Sequence, residues 1–102
     1  MTSRMAQRAA DLAMLLGRYG YESEERYFKS VRASLARAEG DPDALKDVSR
    51  SILSAYRGMG SLNDLVIMAD GQVDMSANDE LTLLLRQLRT TAIELATGGP
   101  LR

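Results

Sequence analysis

The stretch Asp79-Glu80-Leu81-Thr82-Leu83-Leu84-Leu85-Arg86-Gln87-Leu88-Arg89-Thr90-Thr91-Ala92-Ile93-Glu94-Leu95 decides the fold class. Leu81, Leu84, Leu85, Leu88, Ala92 and Leu95 recur at steps of three and four, the spacing that puts side chains on one face of an α-helix. A helix with one apolar stripe must bury it against something else. The rest of the chain supplies the partners. Met5, Ala9, Leu12, Leu15 or Leu16, and Tyr19 form a stripe over about 4–19, with Thr2 or Ser3 as candidate caps and Gly20 as the stop. Tyr27, Phe28, Val31, Leu35 and Ala38 form a second, opening near Ser23 with Glu24 and Glu25 in its first turn, and closed by Gly40. Asp41-Pro42 is a further start signal, an Asp cap with proline at the first helical position. Leu45, Val48, Ile52 and Tyr56 follow it as a third stripe, ended by Gly58 in a left-handed conformation. The leucine-rich fourth helix is expected to open at Ser76 or Asn78, with Asp79 and Glu80 beside its positive end.

Residues 58–75 have no helical period. Leu65-Val66-Ile67-Met68 is apolar and partly β-branched, and Asp70-Gly71 is a type I′ turn dipeptide ahead of Gln72-Val73-Asp74. This predicts a short hairpin that must lean on the helices, because two strands alone are marginal. The expected architecture is all-α: one domain over residues 1–102, a four-helix antiparallel bundle with a short loop or β-hairpin insert at about 58–75.

Composition narrows the function. The 102 residues contain no His and no Cys, which removes the commonest general base, the commonest metal ligand, thiol nucleophiles and disulfides. The longest apolar run near the N-terminus, Leu12 to Leu16, is too short for a membrane span or a signal-peptide core, so the chain reads as soluble and cytoplasmic, with no membrane partner. Net charge is −1, but unevenly placed: residues 39–80 hold nine acidic and three basic groups, while the flanking segments are net positive. Such an acidic middle segment repels phosphate backbones, so no nucleic-acid partner is expected, and it attracts a basic protein surface.

Each motif that suggests chemistry has a simpler reading. Gly58-Met59-Gly60-Ser61 follows a helix, has no nearby Lys and is close to Asp64, so it reads as a helix end and turn rather than a phosphate loop. Counted from Asp70, a calcium loop would need Gly and Glu where Met75 and Leu81 stand. Glu24-Glu25 and Asp79-Glu80 read as helix starts, not as a buried acid–base pair. The serines have only Lys29 and Lys46 as possible bases, and neither lies at S-x-x-K spacing. Tyr19, Tyr21, Tyr27 and Phe28 read as a corner of the core rather than a base-stacking platform. No catalytic residue, cofactor or metal is expected, and the chain is read as a non-enzyme.

Arg57-Gly58-Met59-Gly60-Ser61-Leu62-Asn63-Asp64-Leu65-Val66, preceded by Ser54-Ala55-Tyr56, resembles the signature of a small bacterial family of uncharacterised helical domains, with Arg57 where that pattern has its first Gly. The likeness spans roughly residues 8–95 and brings no catalytic residue with it. Members resemble, in size and character, the immunity proteins that block toxins. The expected function is therefore a non-catalytic immunity protein that neutralises a cognate bacterial toxin by filling its basic active-site cleft, as a monomer or weak homodimer. The alternative is a structural or regulatory module, an adaptor or a homodimer joined through a leftover face of the fourth helix. The candidate partner-binding residues are Asp70, Asp74, Asp79 and Glu80, with Met59 of the same insert, and Asp70 and Asp74 are expected to be exposed and unpaired.

Overall fold

The structure, a computed structural model, describes residues 2–56 and 62–97. Its elements in chain order are α1 (Thr2–Arg18), α2 (Glu22–Arg37), α3 (Pro42–Ser54), a single 3-10 turn (Leu62–Asp64), β1 (Met68–Ala69), β2 (Gln72–Val73) and α4 (Met75–Ala96). The described chain is thus four helices with one small antiparallel hairpin. Gly58 and Met59 lie outside the described residues, as do the expected left-handed glycine and the partner residue placed there.

Local chemistry explains most boundaries. Asp41 caps α3 by accepting from the Ala44 amide at 3.1 Å, and Pro42 occupies the first turn, where its missing N–H costs nothing. Gly20 and Gly40 take φ of +84° and +83° between successive helices, which a side chain would disfavour. Two expected starts are corrected. No side chain caps α2: it follows Tyr21, ahead of Ser23, and Glu22, Glu24 and Glu25 in its first turn suit the helix dipole instead. Thr2 and Ser3 lie within the first turn of α1.

The stripes become the core. α1 packs on both α2 and α4, so its apolar face is broad, and Leu15 and Leu16 are both buried alongside Met5, Ala9 and Leu12. α4 buries Ala77, Leu81, Leu84, Leu85, Leu88 and Ala92 against α1 and α3. Phe28 of α2 is fully buried, edge-on to Tyr27 with ring centroids 5.0 Å apart. α1 and α2 approach closely where Gly17, inside α1, leaves room for the carboxylate of Glu25, which also pairs with Lys29 at 3.2 Å. α3 contributes Ile52 and Tyr56, and the Tyr56 hydroxyl donates to the Leu85 carbonyl at 2.7 Å.

Ser49 is fully buried on α3, and its hydroxyl has no hydrogen-bond partner among the described residues. A buried unpartnered polar atom costs stability, and Ala is the better helix former. Ser49→Ala is therefore expected to raise the unfolding free energy by about 0.5–1.5 kcal/mol in a urea titration. A loss of stability would show that the hydroxyl is engaged.

Candidate functional site

The hairpin is local chemistry first. Asp70 and Gly71 both have positive φ, +54° and +78°, as a type I′ turn requires, and they set Ala69 opposite Gln72 and Met68 opposite Val73. The pairing continues past the strands, since the Asp74 amide donates to the Ile67 carbonyl at 3.1 Å. Ile67 is fully buried and plugs the hairpin into the helical core.

Side chains from α4 and from the α1–α2 connection then pin it. On α4, the Asn78 amide acts like a short neighbouring strand. Its Oδ1 accepts from the Ile67 N–H at 2.9 Å, and its Nδ2 donates to the Ile67 carbonyl at 2.9 Å and the Asp74 carbonyl at 2.7 Å. Tyr21, ahead of α2, closes the outer edge of β1: its hydroxyl accepts from the Met68 N–H at 3.0 Å and donates to the Val66 carbonyl at 3.1 Å. Tyr19, after α1, donates its hydroxyl to Asp74 Oδ2 at 3.1 Å. The sequence put these tyrosines in the core, and both do pack partly against it. Their hydroxyl partners lie 45 to 55 residues away, which no local pattern reveals.

Two expectations about the start of α4 are corrected here. The helix opens at Met75, and its cap is Asp74, whose Oδ1 accepts from the Ala77 amide at 2.9 Å. Asn78 lies inside the helix and binds the hairpin, and Ser76 is inside it too. Asp74 is partly buried and has both carboxylate oxygens engaged, so it is neither fully exposed nor unpaired. Asp79 and Glu80 sit beyond the first turn, too far in for the dipole to explain them.

Asp70, Asp79 and Glu80 are exposed, and the ion pairs among the described residues use Asp11, Glu25 and Asp47 instead. Three exposed acids thus stand at the tip of the hairpin (Asp70) and in the second turn of α4 (Asp79 and Glu80), and the hairpin is held to the α1–α2 connection and to α4. One cleft that the sequence did not suggest, about 290 Å³, lies between the end of α3 and α4, with Tyr56, Leu62 and Leu85 inside and Arg86 and Arg89 along it. Among the described residues no group of three or more acidic side chains is placed to hold a metal, and no helix is long and apolar enough to cross a membrane.

The tyrosines make the fold sensitive to alkali. The hydrogen bond to Asp74 pushes the Tyr19 hydroxyl above its usual pKa of 10.0, helped by burial and by the Asp74 charge. Burial raises Tyr27, and raises Tyr56 well beyond the usual tyrosine range. Above pH 10 the unfolded chain releases these protons while the folded chain keeps them, so their stabilising contribution is complete below pH 10 and is lost as pH rises beyond it. Urea midpoints are expected to fall above pH 10, less steeply in Tyr56→Phe. Equal slopes in the two proteins would contradict the assignment.

Residues 22–75 match a family described as a domain of unknown function, DUF6966, a segment that holds α2, α3 and the hairpin. No curated protein and no solved structure matches the chain. The matched segment covers more than half of the 102 residues, and the chain belongs to the DUF6966 family.

Proposed function

We propose that the chain is a non-catalytic binding protein: an immunity protein that neutralises a cognate bacterial toxin in the cytoplasm by occupying its basic active-site cleft. In this reading the helices form an antiparallel four-helix scaffold, and the hairpin end is what it presents. One observation carries the proposal. Asp70 at the hairpin tip and Asp79 and Glu80 in the second turn of α4, which is tied to the hairpin through Asn78, are exposed and without ion-pair partners among the described residues. Acids spared from internal pairing draw a basic surface and speed its encounter. An ordered binding element also pays little entropy on docking. Asp74 leaves the partner-binding set, because it is committed to Tyr19 and to the α4 cap.

The homodimer alternative has less support. Of the exposed large hydrophobics on α4, Met75 stands at its start beside the hairpin, and Leu83 and Ile93 lie eight and eighteen positions further on and about a quarter turn apart from each other, so the three do not make one continuous face. The test is co-expression with the product of the neighbouring gene. A toxic neighbour whose killing is abolished by this chain, with which it co-purifies one to one, is the expected result. A neighbour that is neither toxic nor bound would overturn the immunity reading.

A further inference from the structure

We propose that the outer face of the hairpin is the anchor of this interaction, and that it seats in an apolar pocket rimmed by Lys or Arg on a different protein. The proposal rests on the binding-protein reading and adds what would hold the partner once charge has steered it in.

The register makes the face. Met68 lies opposite Val73, and the Asp74–Ile67 hydrogen bond carries the pairing one residue further, up to the start of α4 at Met75. Alternate residues of a strand point to opposite sides. Ile67 turns inward and is fully buried, so Val66, Met68 and Val73 fall on the other side, 48%, 43% and 49% exposed, and Met75, the first residue of α4, is 72% exposed just beyond them. A hairpin with one face in the core normally carries polar residues on the other. Here the outward positions are apolar instead. The remaining large exposed hydrophobics among the described residues, Met14, Leu83 and Ile93, are scattered, as on any surface, whereas these four fall within ten consecutive positions. Contiguous exposed apolar surface of this kind marks an interaction site.

Charge selects the occupant. Asp70 forms the tip of the hairpin, Asp79 follows Met75 by one helical turn, and Glu80 is next to it. A second copy docking face to face would set these acids against their own kind. A partner with basic groups around an apolar pocket pairs with all three while covering the four hydrophobic side chains. The same division, apolar centre and charged rim, places most binding energy at the centre.

The experiment uses the full chain, expressed in its source organism with a photo-crosslinking benzoyl-phenylalanine at Val73 or, separately, at Met14 on α1. The expected result is a covalent adduct from Val73 and none from Met14. Its second component should be a different protein, with Lys or Arg flanking the cross-linked peptide. The purified pair should then lose about tenfold or more in affinity when Met68 and Val73 are both changed to Ser. An adduct of two copies of this chain, an adduct from Met14 alone, or a hetero-adduct whose affinity ignores the double substitution would each overturn the anchor, and a hetero-adduct from Met14 would leave the binding reading standing. No adduct from either position would overturn both.

Discussion

Leu88→Ala lowers the unfolding free energy by about 2–5 kcal/mol, the range for truncating a fully buried leucine in a packed core. Leu88 is fully buried on α4, among the residues that α4 presses against α1 and α3. Removing its branched end discards the transfer free energy of those carbons and leaves a hole that three helices cannot all move to fill. Leu84, one turn earlier and 7% exposed, should behave similarly. Leu83 is 49% exposed on the same helix, and its change to Ala should stay within about 0.5 kcal/mol. Urea unfolding of the three variants, followed by circular dichroism, checks the contrast. Comparable losses at Leu83 and Leu88 would mean that the stripe is not the buried face.

The second large effect is at Asn78. Its change to Ala strips the Ile67 N–H of its partner and removes two donated hydrogen bonds that tie the hairpin to α4. With Ile67 fully buried, the orphaned N–H has no route to water, and the expected loss is about 2–3 kcal/mol. Asn78→Asp separates the amide's role from its size. The carboxylate still accepts from Ile67 N but meets the Ile67 and Asp74 carbonyls with no donor, so it should be about as damaging as Ala. Amide exchange should report the difference from Leu88→Ala: at Asn78 the hairpin amides lose protection first, whereas the core leucine loosens all four helices together. An Asn78→Asp protein as stable as the parent would show that the amide donors do not hold the hairpin.

What could be read from residues alone follows the range of the interactions involved. The Asp41-Pro42 start, the leucine stripe of α4 and the Asp70-Gly71 turn are each specified within a few positions, and all three stand in the structure. The start of α4 was not legible, because Asp74, Ser76 and Asn78 are all good capping residues and local propensity does not rank them. Register decides. Once Asp70-Gly71 sets the turn, Asp74 comes opposite Ile67, and a helix starting there carries Asn78 one turn on, against the Ile67 peptide. The same non-local step turned Asp74 from an exposed acid into a cap, and gave Tyr19 and Tyr21 partners across the chain. The acidic character of the insert was visible early. Which acids were spared from structural duty required the fold.

Under the proposed function, those spared acids steer a basic partner onto the hairpin end. The direct measurement is the association rate of the purified chain with the neighbouring gene's product at low and high salt. It compares the parent with a triple variant, Asp70→Asn, Asp79→Asn and Glu80→Gln. Asn suits the +54° φ at position 70, so the turn survives and only charge is lost. The parent's rate should fall steeply as salt rises, and the variant should bind slowly at low salt with little further salt dependence, at unchanged stability. Identical rates and identical salt dependence in the two proteins would contradict steering by these three acids.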